Sequence, residues 1–172
     1  MRTTNFIKQE LFLQTTFFMP NSFSQLYIHH VSLVKYRRAM ISEEIENHVY
    51  SYIVKIVRDH EQEVIAINGM PDHIHLLLRL RSDISPAKLI QFIKGNSSRY
   101  INDKKLTQTK FKWQPGGATF SVSSHHVDVV KKYIWRQKMH HAHTRLKQEY
   151  VTMLRQNNIE FDPSYLPDFI LS

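Results

Sequence analysis

Two histidines two positions apart, His73 and His75, lie inside the apolar run HIHLLLRL. On an extended strand, residues i and i+2 point to the same face about 7 Å apart, so both imidazoles project together while Ile74 enters the opposite side. Side chains placed in this way can converge on one ion. Further along, Tyr133 and Gln137 stand four apart in a stretch with helical spacing, which puts them on one face, one turn apart. A phenol is a poor nucleophile until a nearby cation or base lowers the cost of ionising it; as phenolate it can attack a phosphodiester and form a covalent intermediate. The amide oxygen of Gln137 is a possible third ligand for that cation. Singly, each feature has a plain structural explanation: satisfied polar residues on a sheet, a half-buried packing tyrosine, a solvated glutamine. Together they describe metal-assisted attack on phosphate.

The elements that must position these groups follow from patterning. Residues 24–34 (SQLYIHHVSLV) alternate and are rich in β-branched and aromatic types, which predicts a strand. Ser42 before Glu43 and Glu44 predicts a helix start, and Ile45, Val49, Tyr52, Ile53 and Ile56 carry the helix to about residue 59. Residues 63–68 read as a second strand, and 69–72 (GMPD) form a tight connection to a third over 73–80, so the two pair as a hairpin. Ser85 and Pro86 open a second helix that runs through Leu89, Ile90, Phe92 and Ile93 towards Tyr100 and Ile101. After the break at Pro115, Gly116 and Gly117, a short strand covers 118–122. Ser123 or Ser124 then caps a third helix that carries Tyr133 and Gln137, and a fourth helical segment spans 142–156. This order predicts an α+β fold: a ferredoxin-like split βαβ sandwich with an antiparallel sheet, helices on one face and a C-terminal nucleophile helix.

A chain of 172 residues, 42% hydrophobic, is the size of one domain and has ample material for a core. Its 23 Lys and Arg against 15 Asp and Glu give a net charge of +8, which favours a polyanionic partner, nucleic acid first. The absence of cysteine excludes disulfides, thiolate metal sites and a cysteine nucleophile. No apolar run approaches the roughly 20 residues that span a bilayer, and residues 1–20, with Lys8 and Glu10, read as neither signal peptide nor anchor. The expectation is a cytoplasmic protein without membrane contact, nucleoid-associated when on DNA. Basic and aromatic residues interleave at Lys35, Tyr36, Arg37 and Arg38, at Lys94, Arg99 and Tyr100, and at Lys110, Phe111, Lys112 and Trp113. Single strands are held by phosphate contacts plus base stacking, so Lys35, Arg37, Arg38, Lys94, Arg99, Lys112 and Trp113 are candidate DNA contacts. The pairs His29/His30 and His125/His126 and the trio His140, His141, His143 lack metal-site spacing and are assigned no metal; His140 or His141 is a weaker phosphate candidate.

Five blocks in fixed order add a resemblance: LVKYRR (33–38), GMPDHIHLLL (69–78), IKGNSSRYIN (93–102), KWQPG (112–116) and YIWRQKMHH (133–141). The chain from about residue 19 resembles the single-tyrosine HUH transposases of small bacterial and archaeal insertion sequences, a group that includes the REP-associated tyrosine transposases. The resemblance implies that His73, His75 and Gln137 ligate Mg²⁺ or Mn²⁺ and that Tyr133 attacks single-stranded or hairpin DNA at transposon ends. It implies a 5′-phosphotyrosine, a free 3′-hydroxyl, and a homodimer whose tyrosine helices complete each other's sites. Ligand chemistry alone leans to Mn²⁺ or Zn²⁺. Residues 1–18 fall outside the resemblance, as a misassigned start or an added arm, and 19–172 form the single domain. Gly117 followed by Ala118 departs from the pattern, because the family more often has an aromatic after the first glycine of the KWQPG block; Gly116 and Gly117 are a hinge candidate. Two other readings stand beside this one: a domesticated, non-cleaving binder of hairpin DNA or RNA, and a metal-dependent phosphodiesterase.

Overall fold

The computed structural model describes residues 24–140 and 146–166; the expected extension over 1–18 and the start of the fourth helix lie outside that range. The elements run β1 (Leu26–Leu33), α1 (Glu43–Asp59), β2 (Glu63–Met70), β3 (His73–Leu80), α2 (Pro86–Asp103), β4 (Ala118–Val122), α3 (Val127–Trp135), α4 (Gln137–His140) and α5 (Leu146–Gln156). The four strands form one sheet in the order β2-β3-β1-β4, with every pairing antiparallel. Two βαβ halves thus interleave, and β3, the strand with the paired histidines, is flanked on both sides.

Period-two alternation divides β3 between two environments. Ile74, Leu76, Leu78 and Leu80 point to one face, where they pack with Val49, Ile53, Leu89 and Ile93 of α1 and α2. His73, His75 and Leu77 take the other face, towards Ile134 and Tyr133 of α3. There α5 covers β1 and β4, with Leu146, Tyr150, Met153 and Leu154 against Val31, Leu33, Ala118 and Phe120. The α1–α2 layer agrees with the expected sandwich, and the α3–α5 layer on the opposite face is additional to it. A strand buried on both faces can be nearly continuous in apolar residues, which accounts for HIHLLLRL.

The hairpin that presents the histidines is tighter than the sequence suggested. Pairing continues through Gly69↔Ile74 and Met70↔His73, leaving only Pro71 and Asp72 as the turn. A Cβ on Gly69 would lie 2.2 Å from the His73 carbonyl oxygen, so only glycine lets the strands approach this closely. At the start of α2, Ser85 Oγ accepts from Lys88 N at 3.3 Å and Pro86 occupies the first turn, as expected. Ser42 sits at the N-cap of α1, but its hydroxyl donates to Glu44 Oε2 at 3.1 Å instead of capping the backbone.

One expectation needs correction: Tyr133 and Gln137 do not share a continuous helix. The helix α3 ends at Trp135, Arg136 adopts φ −90° and ψ 8°, and α4 begins at Gln137. The cause lies in β2, where Asn68 Nδ2 donates to the carbonyl oxygens of Ile134 and Trp135 at 3.0 and 3.1 Å. A continuing helix would direct those carbonyls at the amides of residues 138 and 139. Met139 N instead donates to Arg136 O at 3.0 Å. No helix among the described residues is long and apolar enough to cross a membrane.

Candidate functional site

His73 and His75 are both almost fully buried, at 1% and 0% exposure, with ring centroids 5.1 Å apart. Each has its δ nitrogen engaged from behind. His73 Nδ1 lies 2.7 Å from Asp72 Oδ1, in the hairpin turn, and His75 Nδ1 lies 3.0 Å from Nε2 of His29 on β1. Burial holds the His29 pKa down at about 4, so His29 is a neutral partner near neutral pH. Holding the δ nitrogens in this way fixes ring orientation and leaves the ε nitrogens as the metal-facing atoms.

Tyr133, half-buried, sets its ring 5.8 Å from that of His75 and 6.0 Å from that of His29. Its hydroxyl donates to Oε1 of Glu149, and Gln137 Nε2 donates to the same oxygen at 3.0 Å. The helix break therefore does not separate the tyrosine from the glutamine, because a carboxylate from α5 gathers both. Gln137 is fully buried, and its Oε1 has no hydrogen-bond partner among the described residues. An orphaned amide oxygen in a dry site suits a cation, since burying it unpaired costs about 1–3 kcal/mol.

Glu149 was not foreseen. Its Oε1 stands 3.7 Å from His75 Nε2, and burial, followed by the negative charge of Asp72, pushes its pKa up to about 7. His73, His75 and Glu149 can hold a metal ion: one ligand atom from each lies within 4.8 Å of the others. Imidazole nitrogens with a carboxylate and an amide oxygen suit a first-row divalent ion such as Mn²⁺. A signal for Glu149 was present in the sequence. The buried stripe of α5 is Leu146, Glu149, Tyr150, Met153 and Leu154, an i, i+3, i+4, i+7, i+8 pattern in which an acid holds an apolar place. His29, set aside as unrelated to metal, alternates with Val31 and Leu33 and so shares the face of the metal pair.

The expected DNA contacts lie elsewhere. Arg38, Arg99 and Lys112 are exposed, and Lys35 places its ammonium 4.8 Å from the ring centre of Tyr36. Arg37 lies in a short 3-10 turn, and its side chain is outside the described set. Lys94 instead donates to the carbonyls of Gln114 and Gly116, and burial lowers its pKa to about 8. Trp113 is buried, its indole N–H donating to Ser97 Oγ at 2.9 Å. Both brace the loop before β4, where a Cβ on Gly117 would lie 2.7 Å from Val31 O. His125 and His126 are exposed, while His141, His143 and the side chain of His140 lie outside the described residues.

Comparison with known proteins places this geometry in a family. The family model described as "Transposase IS200 like" matches residues 22–137, more than half of the chain. The ISDra2 transposase TnpA of Deinococcus radiodurans is 29% identical over 118 residues, which are 66% of this chain and 84% of that protein. Two solved structures share the fold. A candidate transposase from Deinococcus radiodurans is 24% identical with a TM-score of 0.56, covering 68% of this chain and 94% of its own. A REP-associated tyrosine transposase bound to a REP hairpin is 17% identical with a TM-score of 0.56, covering 70% and 71%. The matched span holds the paired histidines, Tyr133 and Gln137, and stops short of α5. This chain belongs to the IS200-like transposase family.

Proposed function

We propose that this chain is a single-stranded DNA transposase that cleaves and rejoins transposon-end DNA through a covalent 5′-phosphotyrosine on Tyr133, assisted by Mg²⁺ or Mn²⁺ at His73, His75 and Gln137. The observation that carries this proposal is the meeting of the Tyr133 hydroxyl, the Gln137 amide and the His75 imidazole around one carboxylate within a single chain. When bound, the ion supplies Lewis-acid polarisation of the scissile phosphate.

The chain's own residues supply position and proton handling. Tyr133 Oη forms the new bond to phosphorus while the bond from phosphorus to the 3′-oxygen breaks. The phenol proton passes to Glu149 Oε1, which already accepts that O–H, and the departing 3′-oxygen ends as a hydroxyl with the proton released. A different 3′-hydroxyl reverses the step and rejoins the strand. Burial of His73, His75 and Gln137 keeps bulk water from the reacting phosphate, which favours strand transfer over hydrolysis. The half-buried Lys35 and the exposed Arg38, Arg99 and Lys112 serve the backbone of a single strand or a hairpin end, in keeping with the REP hairpin bound by the structural relative. The assembly expected from the resemblance is a homodimer whose tyrosine helices complete each other's sites. Because the Tyr133 ring lies 5.8 Å from that of His75 within one chain, the arrangement proposed here is instead a homodimer in which each tyrosine serves its own histidine pair.

The test is covalent trapping with Mn²⁺ and a 5′-extended single strand carrying a cognate end. A protein–DNA adduct should survive denaturing electrophoresis and be lost in Tyr133→Phe. Mixing Tyr133→Phe with His75→Ala should leave cleavage abolished, because no chain then holds both halves of a site. Cleavage without an adduct would establish the phosphodiesterase instead, and tight hairpin binding without cleavage the domesticated binder.

A further inference from the structure

The sequence holds two tryptophans, and the fold treats them in opposite ways. Trp113, the expected DNA contact, is buried at 7% exposure with its N–H on Ser97, whereas Trp135, the last residue of α3, is 57% exposed. Tryptophan is on average a highly buried residue, and this one stands in water between Val129 at 61% and Met139 at 66%. Its surroundings indicate the kind of partner. Between Val127 and Met139 four basic residues stand against Asp128 alone. Lys138 is taken by Glu43 and Glu46, and the other three, Lys131, Lys132 and Arg136, surround the indole. The Lys131 ammonium lies 4.7 Å from the ring centre of Trp135. Arg136 N donates to Lys132 O at 3.2 Å, so the helical turn extends through Arg136. At about 100° per residue, Arg136 and Lys132 then occupy the arc of helix surface between Tyr133 and Trp135.

We propose that Trp135 is a stacking platform for an unpaired base of the strand that Tyr133 attacks, with Lys132 and Arg136 holding the phosphates in between and Lys131 steadying the ring. The inference rests on the proposed function for its substrate and adds a contact beside the same site. Aromatic faces set among cations are the usual means of holding a single strand: each base stacks on a ring while the cations follow its backbone. A cation over one side of the indole fixes the ring's orientation and leaves its other side for a base. Around a helix about 10–12 Å across, the path from Tyr133 to Trp135 is about 15 Å, a span of a few nucleotides. A base stacked there stops the strand from sliding and so selects which phosphate reaches Tyr133. A duplex keeps its bases stacked inside and offers none to the indole. A second copy of this chain is a poorer occupant, because a two-fold contact through this patch sets its cations against themselves.

Trp113→Phe leaves Trp135 as the sole tryptophan, so the fluorescence of that variant reports on this position alone. Single-stranded oligothymidylate, added without metal, should quench it saturably, and the same strand paired with oligoadenylate should not. Measured by the anisotropy of labelled oligothymidylate, Trp135→Leu should bind at least about fivefold more weakly than wild type, with Trp135→Tyr restoring most of the affinity. Unchanged binding by Trp135→Leu, strand binding without quenching, or equal quenching by the duplex overturns the inference. Fluorescence that follows protein concentration but not DNA also overturns it, by placing a second chain on the ring. Should Trp113→Phe fail to fold, Trp135→Leu in the wild-type background decides, since an exposed side chain leaves the core intact. The proposed function is judged apart from this. An adduct without quenching removes the platform and leaves covalent cleavage standing, whereas quenching without an adduct does the reverse.

Discussion

On the α1–α2 side of the sheet, Ile74, Leu76 and Leu78 meet Val49, Ile53, Leu89 and Ile93 in a fully buried aliphatic contact. On the α3–α5 side, the same strand offers His73 and His75, and the buried set around them gains His29, Gln137 and Glu149. Apolar burial contributes about 1.5–3 kcal/mol for each fully buried large side chain, whereas a buried polar group at best recovers its desolvation cost through hydrogen bonds. The first face supplies stability that the second consumes in order to hold ionisable groups in a dry, fixed arrangement. Substitutions on the two faces should accordingly fail in different ways.

The largest separation is expected from Leu76→Ala. It should cost about 2–5 kcal/mol in denaturant unfolding while leaving the rate of adduct formation per folded molecule unchanged. A parallel fall in that rate would mean that the faces are mechanically coupled. Next in size is a pH effect confined to the polar face of the metal-free protein. Glu149 titrates near 4.5 when exposed and near 7 when buried, so its contribution to stability is complete below about pH 4.5 and is lost as pH rises through about 7. The loss is at most about 3 kcal/mol, and Glu149→Gln should flatten that part of the pH profile. A wild-type profile without a decline between these limits would mean that the carboxylate is compensated in the fold. The smallest effect sharpens the apolar side. Ser97→Ala leaves the buried indole N–H of Trp113 without its acceptor and should cost about 1–2 kcal/mol in thermal unfolding, with no change in Mn²⁺ affinity.

The apolar face was legible because it obeys simple periods. Ile45, Val49, Tyr52, Ile53 and Ile56 at helical spacing, and alternate residues of HIHLLLRL, point to α1 and β3 directly, and β3 begins and ends where expected. The pairing of His73 with His75 was legible for the same reason. What escaped detection depends on tertiary contacts between distant segments. The helix break after Trp135 has no glycine or proline to announce it, because its cause is an asparagine on β2. Glu149 was hidden inside a sound amphipathic pattern, visible only as an acid where an aliphatic residue belonged. Trp113 and Lys94 show that interleaved aromatic and basic residues can brace a loop, a role that the same pattern in the sequence does not distinguish from facing a nucleic acid.

Asn68 pairs directly across the ladder with His75, and the same Asn68 amide grips the backbone at the end of the tyrosine helix. The histidine and the end of the tyrosine helix are thus gauged against a single rung, whose span across an antiparallel pair is about 5 Å, instead of against a long loop. When the tyrosine helix sways, the rung that carries the imidazole is tugged with it, and the two drift in company. Alignment then survives a good deal of thermal wandering in the surrounding chain, while a one-residue slip between the hairpin's strands would spoil both halves at a stroke.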